Sequence, residues 1–241
     1  MAKISPQSGV SGAVKVTSAS DALSPEFKKN RFLQVLTFAY GLIWIVTAIS
    51  PTSRFDWFLE NLLVFLLWGL LAATYSRFPL SNTSYLLIAL FLGFHAVGAH
   101  YTYSEMPLGA WLKDVLGENR NHYDRIVHLL FGLLGAYPLR EVISRTASVR
   151  GIKASLHTFA ALLALSSAYE MIEWIVAEIV SPEAALAYLG AQGDVFDAQK
   201  DTILGAIGAA VALIGIQLHD RLRSHAHVES SCNRSGMRDG G

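Results

Sequence analysis

Six apolar stretches alternate with polar segments along the chain. They cover residues 32–50, 57–75, 83–100, 126–143, 155–178 and 201–219. Each is close to the ~20 residues that a helix needs to cross the hydrocarbon core of a bilayer. Backbone N–H and C=O groups at that depth must be satisfied within the segment itself, so helices are predicted rather than single strands. The pattern predicts an all-α polytopic membrane protein, a bundle of six transmembrane helices.

Composition favours the same class of protein. Hydrophobic residues make up 52% of the chain and charged residues only 16%, a balance that soluble domains of this length rarely show. The formal net charge is zero, so no basic surface for a nucleic-acid partner is expected. The single cysteine, Cys232, excludes an internal disulfide and a thiolate metal cage. The lipid bilayer is therefore the predicted partner, and the oligomeric state and the substrate stay open.

Polar segments flank the apolar stretches at both ends of the chain. Residues 1–26 mix Ser, Gly, Ala, Lys and Asp, and they are predicted to form a disordered N-terminal tail. Residues 27–223 then form the six-helix transmembrane domain, and 224–241 form a second disordered tail. A secretory signal would need an apolar run soon after a basic start, and none occurs before Phe32. The first span is therefore predicted to be a retained helix.

Lysine and arginine near the span ends predict the orientation, because cytoplasmic segments carry an excess of both. One side holds Lys28, Lys29, Arg31, Arg77, Arg140, Arg145, Arg150, Lys153, Arg221 and Arg223. The other side holds Arg54, Lys113, Arg120, Arg125 and Lys200. The protein is thus predicted to be a multi-pass protein of the bacterial inner membrane with both termini in the cytoplasm. Segments 51–56, 101–125 and 179–200 then face outward.

Most acidic residues gather near this outer side. They are Asp56, Glu60, Glu105, Asp114, Glu118, Asp124, Glu170, Glu173, Glu178, Glu183, Asp194, Asp197 and Asp201, and four histidines accompany them, His95, His100, His122 and His128. Ionisable groups at membrane depth are costly, so each needs a partner or a wet cavity. Five of these acids are interpreted as solvated loop residues: Glu105, Asp114, Glu118, Glu178 and Glu183.

Helix periodicity narrows the remaining set. Residues four apart share a helix face, so Asp124 and His128 are expected to lie together. Glu170 and Glu173 also share a face. Asp194, Asp197 and Asp201 would form one stripe if the last helix begins early enough. His95 and His100 are five apart and diverge, so a regular helix would not bring both into one site.

Several of these residues also resemble a known family. The segment Asn121 to Arg125 followed by His128, Phe131, Pro138 and Arg140-Glu141, with His100 to Tyr103 before it, resembles the YjdF-like family of bacterial inner-membrane proteins. Further matches are Glu60-Asn61, Glu170 with Glu173-Trp174, and Gly193-Asp194 through Asp197 to Asp201. The resemblance covers roughly residues 30 to 220. It implies an inner-membrane location and no established activity.

A weaker resemblance connects the chain with the VanZ-like membrane proteins. Asp124, Arg125, His128 and Phe131 reproduce an Asp-basic-x-x-His-x-x-Phe entry to a span. Glu170 is followed by Glu173 where that group has Gln, and Asp201 precedes a glycine-rich span. The Asn usual in that last helix is absent here.

The chemistry that such residues favour is that of a divalent metal bound by imidazole and carboxylates. The predicted metal ligands for zinc or a similar divalent ion are His128, Asp124, Glu173, Asp197 and Asp201, and the predicted catalytic residues are Glu170, Glu173 and Asp124. A surrounding polar cluster comprises Glu60, His95, His100, Tyr103, Arg125 and Asp194. No HExxH motif occurs, so separate helices would supply the ligands. A metal-activated water would hydrolyse a lipid or cell-envelope molecule at the outer leaflet.

Two alternatives stay open beside this hypothesis. In a structural or accessory protein the groups would simply pair, Arg125 with Asp124 or Glu173, and His128 with a carboxylate. In a proton-coupled transporter, acids and histidines would form a relay across the membrane, although the inner halves of the spans carry few acidic residues. An aspartyl protease and a serine hydrolase fit the pattern less well. The glycines of the last span, Gly205, Gly208 and Gly215, indicate close helix packing rather than a pore.

Overall fold

The computed structural model describes residues 25–236, with side chains described for 27–223 except Glu183 and Ala187. All secondary structure in this part of the chain is helical. The helices are α1 (Pro25–Lys29), α2 (Arg31–Ala48), α3 (Arg54–Tyr75), α4 (Asn82–His100), α5 (Pro107–Leu116), α6 (Tyr123–Thr146), α7 (Gly151–Ile179), α8 (Pro182–Leu189) and α9 (Asp197–Gly236).

Six of these helices are long and apolar enough to cross a membrane. They are α2, α3, α4, α6, α7 and the part of α9 from Asp197 to Arg223. Each contains or closely overlaps one predicted span, and the bounds differ by at most four residues. The predicted all-α bundle of six membrane-spanning helices is therefore confirmed.

The two predicted tails fall mostly on residues that the structure does not describe. Residues 1–24 lie outside the described part, and so do 237–241. The backbone of α9 continues to Gly236, beyond the expected end of the last span. The assignment of both tails as disordered and cytoplasmic stays a prediction.

Helix α6 occupies the centre of the bundle, where it packs against α4, α7 and α9. A Cβ atom added at Gly132 would overlap the carbonyl oxygen of Gly205, and one added at Gly208 would overlap the carbonyl oxygen of Leu129. Small residues thus let the backbones of α6 and α9 approach to direct contact. The interpretation of Gly205 and Gly208 as packing residues agrees with these contacts, whereas Gly215 has open space beside it.

One end of the bundle carries the longer connecting segments. We call it the polar end and define it by residues 49–53, 101–122 and 180–196 with the helix termini that flank them. The short helices α5 and α8 lie within these segments, and α8 packs against both α3 and α7. Asn121 and Gln192 exchange two hydrogen bonds, of 2.8 and 3.0 Å, between backbone and side-chain amide. This pair fastens the segment before α6 to the segment before α9.

The opposite end of the bundle is defined by residues 76–81 and 147–150 with their flanking helix termini. Its main polar group is the carboxylate of Glu141 on α6. That carboxylate accepts hydrogen bonds from the backbone N–H of Ser81 at 3.0 Å and from the hydroxyls of Ser81 and Ser84 at 2.8 and 2.5 Å. Arg145 donates to it at 3.0 Å and to the carbonyl of Pro79 at 2.6 Å. Glu141 therefore holds the start of α4 against α6.

Candidate functional site

Three potential metal ligands converge from two helices at the polar end. Asp124 and His128 lie one turn apart on α6, and Asp201 lies in the first turns of α9. One ligand atom from each lies within 4.8 Å of the other two. His128 is 8% exposed and Asp201 is 2% exposed, so the group is withdrawn from solvent. Two carboxylates and an imidazole in this arrangement can supply three ligands to zinc or a similar ion.

The i to i+4 spacing of both helices explains why these side chains meet. On α6 the stripe of Asp124 and His128 continues to Gly132, and on α9 Asp201 is followed one turn later by Gly205. Gly132 and Gly205 are in direct backbone contact. Because neither glycine has a side chain to separate the helices, the polar residues one turn away are brought within reach of one another.

Asp201 and the adjoining Glu170 each have a buried carboxylate oxygen without a hydrogen-bond partner among the described residues. These atoms are Oδ1 of Asp201 and Oε1 of Glu170. Oε1 of Glu170 lies 3.5 Å from Nε2 of His128, and Oδ1 of Asp124 lies 3.5 Å from the same nitrogen. A buried polar atom left unpaired costs about 1–3 kcal/mol. The arrangement therefore suits a cation or a shared proton at its centre.

Arginines neutralise two further aspartates that the sequence pattern placed in the site. Arg120 lies 2.6 Å from Asp197, and Arg125 lies 2.6 Å from Asp194. Asp197, a predicted metal ligand, is therefore engaged by an arginine and is not one of the three convergent groups. Arg125 contacts neither Asp124 nor Glu173 in an ion pair, so that proposed pairing is wrong. α9 begins at Asp197, so Asp194 precedes the helix and does not extend its stripe.

Asp194 fastens the segment before α9 in place. Lys200 donates to its carboxylate at 2.5 Å, the backbone N–H of Phe196 donates at 3.1 Å, and Arg125 contacts it as well. The hydrogen bond from Lys200 is the main reason that the pKa of Asp194 is lowered to about 2. Asp194 is thus a structural anion.

A cavity of about 360 Å³ adjoins the three convergent residues. It lies between α3, α4, α6 and α7, and α8 covers its polar end. Its polar lining consists of Glu60, His95, Tyr103, Asp124, His128, Ser166, Tyr169, Glu173 and Tyr188. Its apolar lining includes Leu63, Val64, Leu67, Phe91, Leu92, Val127, Phe131 and Leu165. The volume is within the range of small-molecule sites.

Polarity in the cavity changes with depth. On α3 the lining passes from Glu60 to Leu67, and on α6 it passes from Asp124 to Phe131. Seven residues of helix span about 10 Å. The cavity therefore has a polar upper part near the polar end of the bundle and an apolar lower part that reaches about 10 Å deeper.

A chain of hydrogen bonds supports one wall of this cavity. Nε2 of His95 donates to the backbone carbonyl of Glu60 at 3.1 Å, so Nδ1 is left to accept the hydroxyl hydrogen of Tyr103 at 2.6 Å. Burial raises the pKa of the Tyr103 hydroxyl well above its ordinary value, which keeps it protonated as this donor. The contacts assign His95 as a neutral, positioned residue rather than a free base.

The turn that delivers Tyr103 is strained. Thr102 and Tyr103 have φ angles of 51° and 47°, in the left-handed region that non-glycine residues seldom adopt. The ring of Tyr103 packs on Gly98, where an added Cβ would lie 2.7 Å from Cε1. Strain of this kind persists where surrounding contacts hold it, commonly at functional sites.

All of these site residues lie within the part of the sequence that matches a known protein family. Residues 32–221 match the family described as "Predicted membrane protein (DUF2238)". The chain therefore belongs to that family. It is also 37% identical over 187 residues to the inner membrane protein YjdF of Escherichia coli (strain K12), which covers 77% of this chain and 89% of that protein. The YjdF-like resemblance is thus confirmed, and no solved structure matches the chain.

Membership in the DUF2238 family, together with six helices of spanning length, makes this a multi-pass integral membrane protein. The family description assigns no activity. The weaker likeness to VanZ-like proteins is not shown by these comparisons and stays a prediction.

In this DUF2238 protein some predicted site residues line the cavity and others do not. Glu60, His95, Tyr103 and Glu173 line it, whereas Glu170 is outside the lining, with its Oε1 3.5 Å from Nε2 of His128. His100 donates from Nδ1 to the carbonyl of Thr47 at 2.9 Å and is absent from the lining. The expectation that His95 and His100 diverge agrees with these positions.

Three residues of the site are not among the predicted ones: Arg120, Tyr169 and Tyr188. Tyr169 donates its hydroxyl to Oε2 of Glu60 at 2.9 Å and thereby joins α7 to α3. Its position four residues before Glu173 is a signal that helix periodicity could have used. Tyr188 reaches the cavity from α8, and Arg120 reaches Asp197 across the segments, so neither contact has a local sequence signal.

Proposed function

We propose that this DUF2238 protein is a metal-dependent membrane enzyme that hydrolyses a lipid or another amphipathic cell-envelope molecule. One observation carries the proposal: Asp124, His128 and Asp201 converge beside a cavity whose upper part is polar and whose lower part is apolar. A site for an ordinary soluble substrate would not need the apolar depth. A purely structural polar cluster would not need buried carboxylate oxygens without partners.

The proposal includes a location in the bacterial inner membrane, with the polar end facing outward and both termini in the cytoplasm. The E. coli relative is named an inner membrane protein. Lys and Arg are in excess at the opposite end, as expected for cytoplasmic segments. The site would then meet molecules of the outer leaflet.

Asp124, His128 and Asp201 would hold the ion, zinc or a similar divalent metal, and the Glu170 carboxylate lies beside them, 3.5 Å from Nε2 of His128. Both aspartates are hard oxygen ligands and the imidazole is a borderline ligand, a set that accepts zinc. When bound, such an ion lowers the pKa of a coordinated water and polarises the bond to be cleaved.

Glu173 is the group best placed to move protons, because its carboxylate lines the cavity and is not one of the three ligands. It would accept the proton of the attacking water as the water oxygen bonds to the ester carbon or phosphorus. As the ester bond breaks, it would return that proton to the departing oxygen. Water is thus added across one bond, with no oxidant or other reactant required.

The transporter alternative is less well supported by the shape of the cavity. Its lower wall is formed by Leu67, Phe131 and Leu165. Toward the opposite end, the carboxylate of Glu141 already has serine and arginine partners. A relay of protons would need polar groups or water along this path.

Metal analysis of the purified protein tests the proposal. We expect close to one divalent ion per chain in the wild type and at least a tenfold loss in both His128→Ala and Asp201→Asn. Asp114→Asn is the matched control, because Asp114 is an exposed acid on α5. Wild-type protein without metal, or full metal content in both site variants, would contradict the metal site.

The orientation is tested separately by cysteine labelling. In a Cys232→Ser background, Asp114→Cys should react with a membrane-impermeant maleimide added to spheroplasts, whereas Arg77→Cys should react only after lysis. The reverse pattern would place the site on the cytoplasmic face.

A further inference from the structure

The charges that line the cavity suggest which headgroup it takes. The lining contains three carboxylates, Glu60, Asp124 and Glu173, and no lysine or arginine. The nearby arginines, Arg120 and Arg125, lie 2.6 Å from Asp197 and Asp194, which are outside the cavity, and Arg120 also lies 3.9 Å from the lining carboxylate of Asp124. A ligand that brought only negative charge would therefore meet repulsion from the carboxylates of Glu60 and Glu173.

The acidic lining divides into two parts. Asp124 lies with His128 and Asp201 in the candidate metal site on α6 and α9. Glu60 lies on α3 on another wall of the cavity, where it is 6% exposed and its Oε2 accepts the Tyr169 hydroxyl. Among the described side chains no Lys, Arg or His lies within ion-pair distance of the Glu60 carboxylate or of Glu173. A cation that entered the cavity would stabilise the charged form of such a buried carboxylate.

Aromatic residues surround this second part. Tyr103, Tyr169 and Tyr188 all line the polar half of the cavity together with Glu60 and Glu173. Aromatic rings combined with carboxylates favour organic ammonium groups, through cation–π attraction and charge-assisted hydrogen bonds. Burial also raises the pKa of Tyr188, which keeps its hydroxyl neutral beside such a group.

The cavity has a side toward the bilayer through which such a ligand would enter. α3 and α7 do not form a packed pair among the described helices, and the Tyr169–Glu60 hydrogen bond joins them at the polar end. Below that bond, the lining residues Leu63 and Leu165 are 38% and 51% exposed. In a membrane these exposed apolar residues would contact acyl chains.

We propose that the ligand is a lipid whose headgroup carries a primary ammonium group, with the ammonium on Glu60 among the tyrosines and an acyl chain in the apolar depth. This inference rests on the proposed function for the lipid's reaction and names the class of lipid. A phosphate in the same headgroup would lie toward the metal ligands, which are on the other wall. The site thus recognises a zwitterionic headgroup by its two charges at two separate places.

Competition between two lipids tests the inference. The full-length protein in detergent is offered equal amounts of phosphatidylethanolamine and phosphatidylglycerol with identical acyl chains, and bound lipid is measured by native mass spectrometry. We expect about a tenfold preference for phosphatidylethanolamine, the effect of a charge-assisted hydrogen bond. Glu60→Gln should abolish most of the preference, because the amide keeps the size of the side chain but not its charge. Glu105→Gln, at an exposed acid, should keep it.

Tyr188→Leu, which removes an aromatic ring beside the proposed ammonium position, is the second variant, to be used if Glu60→Gln does not fold. Equal uptake of both lipids by the wild type would overturn the inference, as would a preference that survives in both variants. Metal content is measured on the same samples and separates this outcome from failure of the proposed enzyme. If the wild type holds metal but shows no lipid preference, only the headgroup assignment is contradicted. If the wild type holds no metal but prefers phosphatidylethanolamine, and Glu60→Gln loses that preference, only the metal site is contradicted.

Discussion

Each end of the bundle holds acidic side chains withdrawn from most of the solvent, and the two ends differ in whether the carboxylate oxygens have hydrogen-bond donors. At the opposite end, Glu141 accepts from Ser81, Ser84 and Arg145, and these contacts hold α4 to α6. At the polar end, Asp201 and Glu170 each keep a buried oxygen without a partner. Glu141 therefore has the properties of a structural contact between helices. Asp201 and Glu170 have those of a binding site.

This difference teaches how to interpret acids in membrane helices. Residue type and depth alone would treat Glu141 and Asp201 alike, since both are carboxylates on spanning helices. Their surroundings differ: donors surround one, whereas a histidine, further acids and a cavity surround the other. Glu141 and Asp201 are told apart by whether hydrogen-bond donors surround their carboxylate oxygens.

The largest expected effect concerns the contact of α6 with α9, which positions the polar end. Gly208→Ala should destabilise the protein by about 3 kcal/mol, because the new methyl group overlaps the backbone of Leu129. Gly215→Ala, nearer the opposite end, is the control, since its added methyl has open space. Thermal unfolding in detergent measures both. Equal unfolding temperatures for the two variants would show that the contact is looser than described.

Removal of the Glu141 contacts at the opposite end should cause the next largest loss of stability. Glu141→Ala leaves the Ser81 N–H and the Ser84 hydroxyl without their acceptor, and a loss of about 2 kcal/mol is expected. Metal content should not change, because no convergent ligand is involved. A stable variant, or one that loses metal while it remains folded, would remove the distinction between the two ends.

Replacement of an acid at the polar end should instead raise the stability of the protein. Asp201→Asn is expected to stabilise the metal-free protein by about 1 kcal/mol, because it removes a buried charge with an unpaired oxygen. Chelator-treated wild type and variant would be compared by thermal unfolding. Destabilisation as large as that of Glu141→Ala would mean that Asp201 is a structural contact between helices as well.

The smallest expected effect is the pH dependence of the Asp194 contacts that hold the segment before α9. The pKa of Asp194 is lowered to about 2 by its contact with Lys200, so it is held below the value of an unfolded aspartate. The stabilisation from Asp194 is therefore complete above the ordinary aspartate pKa and is lost as pH falls toward 2. The protection of segment 190–196 against hydrogen exchange, corrected for the intrinsic pH dependence of amide exchange, should be high at pH 5 and fall only in strong acid. In Asp194→Asn that segment should exchange faster at pH 5, and an unchanged rate there would show that the ion pairs do not hold it.

The sequence predicts the spans well because length and apolarity are local properties. Each of the six runs lies on one helix, and Asp124 with His128 follows from one turn of α6. Asp201 was a candidate, yet its meeting with His128 depends on the backbone contact between Gly132 and Gly205. No spacing within one helix encodes that contact.

The rest of the site depends on contacts between distant segments. Arg120 appears as a loop cation in the sequence, but it crosses 77 residues to reach Asp197. That pairing explains why Asp197 is engaged as an ion-pair partner although it shares a helix face with Asp201. Tyr188 likewise enters the cavity only because α8 packs over α3 and α7.

The most direct test of the central claim is to locate the ion. Crystals of the full-length protein grown with zinc would be measured at the zinc absorption edge, and an anomalous map would be calculated. We predict one peak at about 2.0–2.2 Å from a carboxylate oxygen of Asp124, a carboxylate oxygen of Asp201 and Nε2 of His128. A map in which these three side chains are ordered but no peak lies between them would contradict the account.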